Sequence, residues 1–538
     1  MENRRLILIA MIGVVLFLLY QAWQSDYGHA AARNAATSAA VTPQVSPGTG
    51  GAPQARIHVN TDVFEAEIAL AGGELRRVVL RQYPVDRRQP QDKLALLDDR
   101  AGRYFTLQSG LAGADKPLTD AGSAFQAEQS EYRLADGASS LDVPLTYRDA
   151  EGYRVRKVFH FERGSYVIGL SQTLINDSGR ELQASPYLQL WRSPLDTGEK
   201  PKFVHTFLGV GVYEQRPGSG DYRFEKISFE DLDKRPYEAR QTGGWIAMLQ
   251  HYFIAAILPP PDASLSFTSK LDSAKNLYLA QYVAQLQPVP AGAQKEFTAR
   301  AYVGPELQTG LAQVAPGFEL TEDYGLLTPI AKPLFWVLAL YHRLTGNWGW
   351  AIVLLTLSVR ILFFPLTAAQ YRSMAKMRKF APRIQELRER YADDRERLNK
   401  AMMDLYKKEG FNPLAGCWPL LIQLPIFYAL YWVLVQSVEL RQAPFILWWQ
   451  DLSAADPYYV LPILYGASMW LQQRLSGQTA TMDPTQQKIM NVMPIALTGL
   501  FLFFPVGLVL YWLVSNLVNI LQQWLITRRL EKEGLGRR

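Results

Sequence analysis

The sequence predicts a multi-domain membrane protein. An all-α core of five transmembrane helices follows a large β-sandwich outside the membrane, and an N-terminal signal-anchor helix precedes both. Three observations carry this reading. A period-2 alternation of apolar and polar residues begins near Arg56 and persists to about residue 305. Long uncharged apolar runs replace it between residues 347 and 527. The chain has 538 residues, too many for one ordinary domain, so its 48% apolar content averages two unlike parts.

Residues 1–27 place Arg4 and Arg5 ahead of an uncharged run from Leu6 to Ser25. This fits a signal peptide or an uncleaved anchor. Gly28-His29-Ala30 offers a small-x-small cleavage site, yet the run through Tyr20 and Trp23 is long for a cleaved signal. Trp23 and Tyr27 also suit an interfacial belt, which favours an anchor with a cytoplasmic N-terminus. Residues 28–55, rich in Ala, Gly, Pro, Ser and Thr, read as a flexible linker.

The β-domain is expected over 56–320. In "VFEAEIAL", Phe64, Ala66, Ile68 and Leu70 point one way and Glu65 and Glu67 the other. "YRVRKVFHF", "RGS" and "YVIGLSQTLI" read as strand, turn and strand, with a second turn at Asn176-Asp177-Ser178-Gly179. Many strands with few helical runs indicate a β-sandwich. The single cysteine, Cys417, forbids an intramolecular disulfide, so this domain relies on its core. Such sandwiches include sugar mutarotases and carbohydrate-binding modules, but the scattered His58, His160, His205 and His251 suggest no acid–base pair. No HExxH, GxSxG or GxxxxGK[ST] string occurs, so zinc, serine-nucleophile and P-loop chemistry lack their signals. No catalytic residue, metal or cofactor is expected.

Residues 328–345 form an amphipathic helix, lying on the membrane surface or packed against the β-domain. Spans are expected at 347–371, 413–438, 458–474, 489–504 and 506–527, the last two separated by "FFPVG". The loop 372–410 holds twelve Lys and Arg, whereas 439–457 holds only Arg441. The positive-inside rule therefore makes 372–410, 475–488 and the tail 528–538 cytoplasmic, and 439–457 and the β-domain external. Within 372–410, Pro382 opens a helix with Ile384 and Leu387 on one face. Asp393-Asp394 caps a second helix, whose Leu398, Met402 and Leu405 make a stripe that ends before Gly410. Two readings stand: a solvated hairpin packed on itself, or an adaptable docking surface built on Ile384, Leu387, Met402 and Leu405.

Arg360 lies mid-span, twelve residues after Trp348 and ten before Gln370. At ~1.5 Å per residue it sits near the bilayer midplane. No expected span contains Asp or Glu. An arginine at that depth costs ~2.5–3.5 kcal/mol on insertion scales. It can snorkel, bond backbone carbonyls, or line a wet cavity. Thr356, Gln423, Ser515, Asn516, Asn519 and Gln522 are polar residues of the same spans, and they can line a groove or glue helices together. Leu424, Phe427, Tyr511 and Trp512 would supply a greasy wall.

"GNWGWAIVLLTLSVRILFFPLTAAQYRSMAKM", "NPLAGCWPLLIQLPIFYALYWVL", "DLSAADPYYVLPIL" and "PVGLVLYWLVSNLVNILQQ" together resemble the core of the YidC/Oxa family of membrane protein insertases. "GGWIAMLQHYF" and the "QAW" after the first run resemble its long form from double-membraned bacteria. The resemblance implies an inner-membrane protein with cytoplasmic termini, with residues 28–330 in the periplasm and a β-supersandwich over 56–320 among them. It also implies a groove, open to cytoplasm and lipid, in which Arg360 attracts acidic or polar parts of a client. Thr356, Leu424, Phe427, Tyr511 and Trp512 match positions linked to the client's path, with Trp512 standing where tyrosine is common. The partners it implies are nascent inner-membrane proteins, the Sec translocon, membrane lipid and possible ribosome or targeting factors, without direct nucleic-acid binding. A transporter or channel, and a membrane-anchored carbohydrate-active or carbohydrate-binding protein, are the rival classes. The first usually shows repeated halves, and none is visible.

Overall fold

The β-domain is built from two mainly antiparallel sheets whose apolar rows make one core, with one parallel pair between Arg56–Asn60 and Glu131–Arg133. In the computed structural model, the described residues are 55–100, 103–194, 207–216, 221–322, 324–379, 381–391, 394–408, 418–476 and 484–532. The expected anchor at 1–27 and the linker, apart from Ala55, lie outside them, as do Cys417 and His205. The chain divides into two compact units. Of the described residues, one unit holds those from 55 to 328 and 432–442, and the other those from 329 to 431 and from 443 to 532.

In the first unit, a 12-stranded sheet faces a 9-stranded one. The alternation seen in the sequence is realised in the hairpin of Tyr153–Glu162 and Val167–Asn176, where Phe161 pairs with Ile168 and Tyr153 with Asn176. Its turn runs through Gly164 at φ +71°, a conformation glycine adopts without strain. Aromatic rings bridge the sheets: Phe64 lies 6.3 Å from Phe161 and 5.7 Å from Tyr166, edge to face. Lys157 is fully buried. Its Nζ donates to the carbonyls of Gly72 (2.8 Å) and Ser109 (2.9 Å), which ties the two sheets together and satisfies the cation. Two short helices, α1 (Phe229–Lys234) and α2 (Leu311–Val314), interrupt the strands.

The second unit is helical. Its members are α3 (Thr328–Thr345), α4 (Trp348–Leu362), α5 (Phe364–Lys379), α6 (Ala381–Arg390), α7 (Arg395–Lys408), α8 (Trp418–Gln436), α9 (Val460–Ser476), α10 (Pro484–Phe501) and α11 (Val506–Lys532). Thr328 and the last turn of α8 group with the β unit. The α3 boundaries coincide with the expected amphipathic helix, and Gly346 at φ +66° ends it. Asn347 then caps α4, accepting from Gly349 N at 2.9 Å and Trp350 N at 3.2 Å. Asp394 caps α7 in the same way, through Glu396 N and Arg397 N.

One expected element is corrected. Residues 347–371 are not a single straight helix: α4 and α5 meet at Phe363 with a bend of 56°. Pro365 has no N–H to give the Ile361 carbonyl, and the Phe363 N–H turns back to Ile361 and Val359 instead. Segment ends also move. α10 starts at Pro484, inside the expected loop 475–488, and α11 runs on to Lys532. Among the described helices, Val506–Arg529 alone is long and apolar enough by itself to cross a membrane, and the bent α4–α5 pair is a second when taken as one span.

α11 is the hub of this unit and packs on α4, α5 and α9. Gly349 admits a close approach near the start of α4: a Cβ there would lie 2.0 Å from Phe445 Cδ2. Gly349→Ala is expected to destabilise the helical unit by ~1–3 kcal/mol through overpacking, with Phe445→Leu in the same chain restoring most of the loss. Thermal unfolding in detergent checks this. Equal midpoints for wild type and Gly349→Ala would refute the contact.

Candidate functional site: a polar cleft beside a midspan arginine

The last turn of α4 aims Arg360 at α11. Its Nε donates to Ser515 Oγ at 2.9 Å, and its Nη2 donates to the same oxygen. Gln522, two turns further along α11, donates from Nε2 to the Arg360 carbonyl at 3.2 Å, just before the Phe363 bend. Tyr371 and Tyr511 lie beside the guanidinium. Arg360 is half-buried, and no carboxylate pairs with it among the described residues. Among the described residues the cation is therefore held by a hydroxyl without a neutralising counter-charge.

The other expected polar residues separate into two groups. Thr356 is fully buried, and its hydroxyl donates to the Ile352 carbonyl at 2.7 Å. That satisfies it within its own helix and turns it away from open space, contrary to the expected lining role. Asn516 is buried too and donates to Ser468 Oγ at 2.8 Å, which glues α11 to α9. Gln423 of α8 is half-buried beside the Tyr511 hydroxyl. Asn519 faces a cleft that Gln370, Tyr371, Gln472, Gln473 and Gln523 also line, with Met469, Met490 and Met493 as its apolar wall. The Tyr371 hydroxyl reaches Asn519 Oδ1 at 3.4 Å, so cleft and arginine adjoin through that ring. The sequence reading missed Tyr371, Ser468 and the Gln472-Gln473 pair. Tyr371 and the Gln472-Gln473 pair lie near span ends, where polar residues are ordinary, and Ser468 is a single serine in the middle of α9.

Of the apolar wall, Leu424 is 38% exposed, while Tyr511 is buried. Trp512 is wedged among Phe501 (4.1 Å between centroids), Phe427 (4.7 Å) and Tyr465 (5.7 Å). Two buried polar atoms of α11, Trp512 Nε1 and Gln522 Oε1, have no hydrogen-bond partner among the described residues. In the cytoplasmic hairpin, Leu387, Met402 and Leu405 are half-buried and Met403 is 43% exposed. The Ile384 side chain lies outside the described residues. Among the described residues the histidines do not assemble: His58 sits on an edge-proximal strand, His160 pairs with Asp142, and His251 occupies a separate turn.

Two family models cover most of the chain. "YidC periplasmic domain" matches residues 56–337, and "60Kd inner membrane protein" matches 340–533. A Methylococcus capsulatus protein described as "Membrane protein insertase YidC" is 44% identical, over 99% of this chain and 99% of the relative. The chain belongs to the YidC family. A second YidC relative, from Nitrosococcus oceani, is 42% identical over 99% of this chain and all of its own length (100%). YidC proteins are inner-membrane insertases rather than enzymes, and the relatives favour neither a transporter nor a carbohydrate-active protein. Among solved structures, a crystal structure of an active YidC insertase with its first transmembrane domain resolved is 19% identical. It covers 89% of this chain and 94% of that one at a TM-score of 0.40. A galactose mutarotase-like protein from Lactobacillus casei is 11% identical over 46% of this chain and 99% of its own, at a TM-score of 0.30.

Proposed function

We propose that the protein inserts apolar segments of newly made inner-membrane proteins into the bilayer, using Arg360 as an unpaired cation that receives the client's polar or acidic parts. The observation that carries this reading is the guanidinium on Ser515, without a carboxylate among the described residues, next to a polar cleft with a methionine wall. A carboxylate taken to midspan costs a few kcal/mol, ~2.5–3.5 on insertion scales. One charge-assisted hydrogen bond returns ~1.5–3 kcal/mol, enough to offset most of that cost for the time of transit. The unpartnered Gln522 Oε1 and Trp512 Nε1 offer a further acceptor and donor to a passing backbone.

In this scheme the client docks at the hairpin α6–α7, whose Met402 and Met403 adapt to varied apolar sequences. It enters the cleft between α5 and α10 and leaves past Leu424 and Phe427 toward lipid. The hairpin and the tail are cytoplasmic, by the charge of residues 372–410, and the β unit is periplasmic. The protein works alone or beside the Sec translocon, receives clients from the ribosome or targeting factors, and assists folding after release. The test is photocrosslinking of a stalled client from single probe positions. Probes at Leu424, Phe427 and Asn519 are expected to capture it, and one at Ile495 on the exposed side of α10 is not. Equal capture from all four positions would overturn the path.

A further inference from the structure

The segment that ends α8 does not stand apart from the β unit. Residues 432–442 belong to it and are fastened at many points. The His251 Nε2 donates to the Val435 carbonyl at 3.2 Å. Gln308 donates from Nε2 to Ser437 Oγ at 2.9 Å and from its backbone N to Glu439 Oε1 at 3.0 Å. Arg441 and Gln442 both donate to the Pro84 carbonyl at 3.0 Å, and Arg87 donates to the Gln442 carbonyl. Ser437, Val438 and Leu440 are buried. This strap is a seated element of the fold.

Its seat contains carboxyls in an unusual setting. Glu439 Oε2 is buried and has no hydrogen-bond partner among the described residues. Glu306, only 9% exposed, stands within electrostatic reach of it. Glu306 and Glu322 also line a cavity with Lys226, His251, Tyr324 and Gln436. Two ionised carboxylates enclosed together repel, and each loses its hydration. Of the basic groups nearby, Lys226 lies within electrostatic reach of Glu306, and Arg441, itself part of the strap, reaches His251 electrostatically and donates to the Pro84 carbonyl.

We propose that this strap is a proton-operated latch: Glu306 and Glu439 hold residues 435–442 on the β unit while protonated, and loosen it when they ionise. Burial pushes both carboxyls up to about 7, with Glu439 adding to the rise at Glu306. Their ordinary value is 4.5. Between those values the folded state binds more protons than the unfolded one, so latch stability is complete below pH 4.5, falls as pH rises through 7, and then levels off. Burial pushes His251 down to about 4, and it raises Tyr83, Tyr302 and Tyr324. The latch would make the hold on the end of α8 responsive to external acidity.

Hydrogen–deuterium exchange of the full-length protein in nanodiscs, at pH 5.5 and 8.5, tests this after correction for intrinsic exchange. Protection of amides in 435–442 is expected to fall about fivefold or more at the higher pH, with strands 153–162 and 167–176 unchanged. In Glu306→Gln/Glu439→Gln the fall should shrink to less than about twofold, since both carboxyls are permanently neutral. Wild-type protection that is equal at the two pH values overturns the latch, whatever the variant does. So does a double variant that folds and keeps the wild-type pH response. If that variant does not fold, the single Glu439→Gln must show a reduced fall, and an undiminished one overturns the proposal.

Discussion

Arg360→Ala abolishes most insertion of small clients with acidic external segments, while Arg360→Lys retains most of it. The Ala variant loses the only charged side chain of α4, and with it a charge-assisted hydrogen bond to the client worth ~1.5–3 kcal/mol. The expected drop in initial insertion rate is therefore roughly 10- to 100-fold at matched protein level. Lysine keeps the charge and can still reach Ser515, although it loses the forked contact that the Arg360 Nε and Nη2 make with Ser515 Oγ. Reconstituted vesicles with a protease-protection readout measure this. Insertion by the Ala variant at the wild-type rate would remove the electrostatic role.

Trp245→Ala unfolds the β unit at lower temperature yet leaves insertion intact under conditions where the helical unit is folded. Trp245 is 1% exposed, stacks on Tyr213 at 5.7 Å, meets Phe318 edge-on at 5.0 Å, and donates to the Pro316 carbonyl at 3.0 Å. Truncating it removes that packing and leaves a cavity, for an expected loss of ~3–5 kcal/mol. All the residues assigned to the client path lie in the other compact unit, so the stability loss and the activity are separable. Calorimetry checks the first half and the vesicle assay at low temperature the second. Loss of insertion in a variant whose helical unit remains folded would make the β unit part of the machinery.

The sequence and the structure agree best where the signal is periodic. Strand alternation, the amphipathic α3 and the capped α7 were legible because each depends on neighbours within a few residues. The bend in α4–α5 shows the limit. "FFP" occurs twice, at 363–365 and 503–505, and only the second was read as a break. At Phe503–Pro505 the chain leaves one helix and Pro505 stands just ahead of the next. At Phe363–Pro365 the helix resumes at once, because Thr367, Ala368 and Ala369 continue it, so the proline bends the path without ending it.

Long-range partners were not legible at all. Nothing local assigns Ser515 to Arg360, 155 residues away. The same holds for Glu439 and Gln308, 131 residues apart. The polar residues of α11 were visible as a stripe, but its division was not. Asn516 serves helix packing through Ser468, while Asn519 and Gln523 face the cleft, and that difference depends on where α9 and α5 lie.

In the proposed function Arg360 acts on the client's charge, and is not only a structural cation bonded to Ser515. The direct measurement is insertion rate in reconstituted vesicles for one client in two forms, with its external acidic residues intact or replaced by amides, using wild type and Arg360→Ala. If the guanidinium acts on client charge, the loss caused by Arg360→Ala is roughly tenfold or more for the acidic client and falls below about threefold for the neutralised one. An equal fractional loss for both clients would contradict the account, since the arginine would then serve the groove's structure or hydration alone.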